Sequence, residues 1–177
     1  MASVLLKAYT DIPSHAVGNI NSWKIRVVPN GALVATAAID NFTIGELGFN
    51  SDGERTVVQL SDNTKTGVLV AAPERRYIDG ELMAGFYNDV GDRARVVILD
   101  FGIRFETSAF SKNTDVTTIS NGMVAHFDVT TKKFIISTAA SPHSDYANAG
   151  NKYVVVATDS ETIAIDGQKL VRLEVIV

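Results

Sequence analysis

The chain has 177 residues, 46% of them hydrophobic and 20% charged, with a formal net charge of −4 and a pI near 5.3. This length fits one domain, and the apolar share is enough to build a core, which excludes wholesale disorder. No cysteine is present, so disulfides, thiolate metal sites and cysteine nucleophiles are excluded. The densest basic groups are Arg75-Arg76 and Lys132-Lys133. An acidic chain without a basic stripe does not suit a nucleic-acid or anionic-membrane partner.

Residues 1–22 show no clear period and read as an extended N-terminal arm, with a first edge strand as the alternative. Met1 to Lys7 lacks a basic stretch followed by a long apolar one, so no secretory signal is expected. No run approaches the roughly 18 apolar residues of a membrane helix. From residue 23 a single β-rich domain is expected to run to residue 177. Trp23, Ile25 and Val27 alternate with Lys24 and Arg26, which predicts a strand with one wet face. Pro29-Asn30-Gly31 is a turn signal, so 23–27 and 32–39 are predicted to form a hairpin. Residues 40–53 read as a loop holding a short strand, followed by strands over 54–60 and 65–72.

One inserted α-helix is predicted over about 79–90. Asp79 can cap its first turn, and Leu82, Met83, Phe86 and Tyr87 share a face. Residues 94–99 are β-branched and nearly continuous in apolarity, as in a doubly buried central strand. Further strands are predicted at 103–107, 113–119, 124–129, 133–137, 153–157, 163–165 and 169–177. Asn121-Gly122 marks a hairpin turn, and Thr130-Thr131-Lys132 is the tip of another. The expected fold is mostly β: a barrel or sandwich with one inserted helix.

Catalytic chemistry is not expected. His15, His126 and His143 lack metal-ligand spacing, and His126 reads as a half-exposed strand residue. Ser144 and Asp145 beside His143 do not make a triad, because triad members converge from separate elements. The acidic clusters read as helix caps, surface ion pairs and loops. No enzyme activity, cofactor or metal is predicted.

Two stretches carry a family resemblance. One is Pro73-Glu74-Arg75-Arg76-Tyr77-Ile78-Asp79-Gly80-Glu81-Leu82, continuing through Phe86-Tyr87-Asn88 to Arg95. The other is Asn121-Gly122-Met123-Val124-Ala125-His126-Phe127-Asp128, leading to Lys132-Lys133-Phe134-Ile135-Ile136. Together they cover about a third of the chain, and with them the chain resembles the head decoration, or cement, proteins of tailed bacteriophages. The resemblance implies a structural virion protein made in the host cytoplasm. It would form a homo-oligomer, a trimer or dimer, bind the major capsid protein on the outer capsid surface, and bridge capsomers. Many identical contacts on a symmetric lattice would give it avidity. Val4, Leu5, Leu6 and Tyr9 of the arm are then the first interface candidates, followed by Trp23 and Tyr77, since large aromatics are favoured anchors. The alternative for each is core packing. The rival functions are a small β-barrel ligand-binding module and a tail or host-recognition protein.

Overall fold

The computed structural model describes residues 15–74, 86–162 and 167–177. Among them, two seven-stranded sheets account for almost all regular structure. The first sheet runs in the order β1 (Gly18–Ile20), β9 (Arg104–Thr107), β14 (Val171–Val175), β13 (Tyr153–Ala157), β11 (Val124–Asp128), β12 (Lys133–Ser137) and β10 (Phe110–Lys112). The second runs β2 (Arg26–Val27), β8 (Val96–Ile98), β6 (Val68–Val70), β4 (Ile44–Phe49), β5 (Arg55–Gln59), β3 (Ala32–Val34) and β7 (Arg93–Ala94). A 3₁₀ helix, Ser144–Asn148, lies in the loop between β12 and β13.

The second sheet closes on itself. β7 and β8 are separated only by Arg95, whose carbonyl still accepts from the Ala71 N–H. They act as one strand. Its β8 half pairs with β6, and its β7 half pairs with β3. The path β8–β6–β4–β5–β3–β7 therefore returns to its start, which makes a small barrel. Val28, Ala32, Val34, Val57, Val68, Val70, Ala94 and Val96 fill the bore. Valine and alanine are small enough for the narrow interior of a barrel with few strands. Gly45 belongs to the same filling: a Cβ there would lie 2.6 Å from Val57 Cγ2 and 3.2 Å from Val70 Cγ2.

The alternate residues of the barrel strands point the other way. Ile44, Leu69 and Val97 join Phe105, Phe127, Phe134, Ile136, Tyr153, Val155, Leu173 and Val175 of the first sheet in the larger core. The period-two pleat thus makes one barrel wall serve two cores. Edge-to-face contacts order the centre, with Tyr153 meeting Phe105 at 5.8 Å and Phe134 at 5.2 Å between ring centres.

Several expectations are corrected. Residues 29–31 do not turn a hairpin, because β2 and β3 lie end to end along the β7–β8 strand. Val28 bonds Val96 and Ala32 faces Ala94, so the chain advances four residues against its partner's two. Asn30 (φ 61°) and Gly31 (φ 69°) absorb the excess as a bulge that bends the strand round the barrel. Of the helix predicted over 79–90, residues 79–85 lie outside the described residues. Its last residues, Phe86–Val90, are not helical, and Asn88 forms an antiparallel bridge with Ile39. Asn88 Nδ2 also donates to the Ile39 carbonyl and to Asn41 Oδ1, which holds the segment extended. The strand predicted at 113–119 is replaced by Phe110–Lys112, which pairs in parallel with β12. Residues 40–53 hold a six-residue strand, β4, in the interior of its sheet. The strand predicted at 163–165 lies outside the described residues.

Within the segment read as an arm, residues 1–14 also lie outside the described residues. Gly18–Ile20 pairs antiparallel with β9 at the edge of the first sheet. A Cβ on Gly18 would sit 2.1 Å from the Glu106 carbonyl oxygen, so only glycine admits this close pairing.

Candidate interaction surface

Of the residues expected at an interface, Val4, Leu5, Leu6, Tyr9 and Tyr77 lie outside the described residues. Trp23 is described, and its side chain is fully exposed at 103%. It is therefore not a core residue. The strand predicted to hold it begins only at Arg26.

The neighbours of Trp23 fix its position. Ser22 Oγ accepts from the Arg104 N–H at 2.7 Å. Three residues after Trp23, the Arg26 guanidinium makes two hydrogen bonds to the Asp100 carboxylate. This contact raises the pKa of Arg26 and lowers that of Asp100. Residues 22–26 are thus laid along the 100–104 turn, whose tip residue Phe101 is 80% exposed. The same turn is tied to the C-terminus, since Gly102 N–H donates to the Val175 carbonyl. Val177 is itself 65% exposed. Trp23, Phe101 and Val177 are therefore exposed residues on three segments tied together at one rim of the molecule.

Exposed apolar residues scattered singly need no explanation, but large ones gathered on one rim mark an interaction site. Phe49 is also exposed, yet Arg55 lies over its ring at 4.0 Å, so that face is already engaged within the chain. Phe101 was missed as an interface residue from sequence. It sits between Asp100 and Gly102 (φ 82°), where a tight turn forces its side chain outward.

A second region gathers ionisable groups. Asp40 accepts from the Ala16 N–H at 2.8 Å and 3.0 Å. His15 Nε2 is 3.4 Å from Glu74 Oε2. Burial pushes the Asp40 carboxyl up to about 6, against the opposing pull of the Ala16 N–H and the His15 charge. His15, Asp40, Gln59, Tyr87 and Gln168 line a cleft of about 390 Å³ there. A ligand module would need a pocket of this size with convergent polar groups.

The third region corrects an expectation. His126 is fully buried, not half exposed. Its ring lies against those of His143 and Tyr146.

The YonC prophage protein family matches residues 11–176 of the chain. The SPbeta prophage-derived uncharacterized protein YonC of Bacillus subtilis (strain 168) is 51% identical over 177 residues, covering 99% of each chain. No solved structure matches. The chain belongs to the YonC prophage protein family, and it is phage-derived.

Proposed function

We propose that this protein is a structural component of the phage particle, binding the outer capsid surface and bridging neighbouring capsomers. The observation that carries the reading is the exposed rim of Trp23, Phe101 and Val177 on a prophage-derived, mostly-β chain. Large aromatics held on tight turns are ready-made anchors, because little side-chain freedom is lost when they dock. Around a symmetric shell, many copies of one modest contact sum to firm attachment. The protein would act as a closed dimer or trimer, with the major capsid protein as its partner. The work is done by surfaces, so no catalytic step is involved.

The test uses a phage deleted for this gene and particles purified with and without added protein. Wild-type protein is expected to co-sediment with heads. Trp23→Ser/Phe101→Ser is expected to lose at least tenfold in bound copies while keeping its melting temperature. Unchanged binding by the double variant would remove the rim from the proposal. Exclusive attachment to tails, with glycan binding, would replace the reading with the host-recognition one, which turn-borne aromatics would also serve.

A further inference from the structure

The arrangement around His126 is unusual for its place in the fold. Along β11, Ala125 and Phe127 point into the core, so His126 points to the opposite face of the sheet. That face is normally wetted, yet His126 is 0% exposed. The loop carrying the 3₁₀ helix Ser144–Asn148 folds over it. Neither ring nitrogen of His126 has a hydrogen-bond partner among the described residues. A buried imidazole with both nitrogens unpaired is not a stable solution by packing alone.

The covering loop brings metal-ligating chemistry to that spot. The His143 ring centre lies 5.1 Å from that of His126. The two rings are stacked, with planes 25° apart. Two imidazoles on one tetrahedral zinc also hold their ring centres about 5 Å apart but aim a nitrogen each at the ion, so the rings must turn as the site closes. Asp145 adds a carboxylate, with Oδ2 3.9 Å from His143 Nδ1. One donor atom from each of His126, His143 and Asp145 lies within 4.8 Å of the other two. Ligands of a single zinc lie about 3.3 Å apart, so the half-exposed His143 and the exposed Asp145 must close inward. The loop is held at both sides of this set. Asn63 Nδ2 donates to Asp145 Oδ2 at 3.2 Å, and Gly150 N–H donates to the Asn63 carbonyl at 2.9 Å. Asn63 Oδ1 also accepts from the Val129 N–H, just beyond the end of β11.

We propose that His126, His143 and Asp145 form a binding site for one divalent first-row transition-metal ion of the zinc class. Imidazole and carboxylate ligands suit such ions, and three protein ligands leave a fourth position for water. The ion pins the 139–151 loop across the outer face of the first sheet. The site is independent of the rim of Trp23 and Phe101.

The experiment titrates zinc into chelator-stripped full-length protein by calorimetry and follows thermal unfolding in parallel. Wild type is expected to bind one equivalent with a micromolar or lower dissociation constant, and to melt several degrees higher with zinc. His143→Ala and Asp145→Asn lie in the covering loop and are expected to fold, as circular dichroism checks. Each should weaken zinc binding at least tenfold and abolish the shift in melting temperature. Absence of stoichiometric binding in the wild type would overturn the proposal. So would undiminished binding in both variants, which would move the zinc to another site such as His15 and Glu74.

Discussion

Burial acts against a polar group at two residues, the half-buried Asp40 and the fully buried Tyr153. Asp40 ordinarily titrates at 3.8, but burial raises it to about 6 in the fold. The folded chain then holds this proton more tightly than the unfolded chain. The stability from the group is fully present below about pH 3.8 and is lost as pH rises through about 6. Above that, the buried charge costs up to about 3 kcal/mol. In urea unfolding, Asp40→Asn is expected to gain on the wild type by about 1–3 kcal/mol between pH 4 and pH 7. A difference that stays flat with pH would show that Asp40 is not penalised. Tyr153 is fully buried, with a hydroxyl that has no hydrogen-bond partner among the described residues. Burial raises its pKa, so it stays neutral. Tyr153→Phe keeps the edge-to-face contacts and removes an unpaired polar group, so a gain of about 1 kcal/mol is expected. A loss of that size in chemical denaturation would mean that the hydroxyl is bonded.

At the scale of elements, the alternation of apolar residues made most strands legible. β5, β9, β11, β12, β13 and β14 all fall inside predicted runs, and the hairpin at Thr130-Thr131-Lys132 forms with Lys132 in the left-handed region. Barrel closure was not legible. Pro29-Asn30-Gly31 carries the residues of a hairpin turn, and only the long-range pairing with 93–98 shows it to be a bulge. The end of the predicted helix failed for a similar reason. Phe86 and Tyr87 have helical spacing, but Asn88 is tied to Ile39 and Asn41, nearly fifty residues away. In the sequence, Gly45 and Gly48 dilute the pattern of β4, although Gly45 is what lets its wall close on Val57 and Val70. Gly45→Val is therefore expected to destabilise by about 1–3 kcal/mol through overpacking of the bore. A loss at Gly45→Val of less than about 0.5 kcal/mol in chemical denaturation would argue against a packed barrel interior.

For the whole molecule, an acidic, cysteine-free, mostly-β chain raises the expectation of work done by surfaces, and the role on the particle rests on the proposal above. Trp23 is expected among the anchors but also on a strand, and the fold leaves it exposed on the segment that Ser22 and Arg26 tie to the 100–104 turn. The clustering of histidines was invisible from sequence, because residues 126 and 143 meet only when the loop folds back over the sheet. The rim makes few internal contacts, so Trp23→Ser is expected to change stability by less than about 0.5 kcal/mol. A larger loss in thermal or chemical unfolding would make Trp23 a structural residue. The proposed place of this chain is the particle's outer surface. The most direct test is to induce the prophage, purify intact particles, and measure the protein on them by quantitative mass spectrometry and antibody labelling under electron microscopy. Many copies per particle are expected, with label over the heads. Intact particles that lack the protein would contradict this placement.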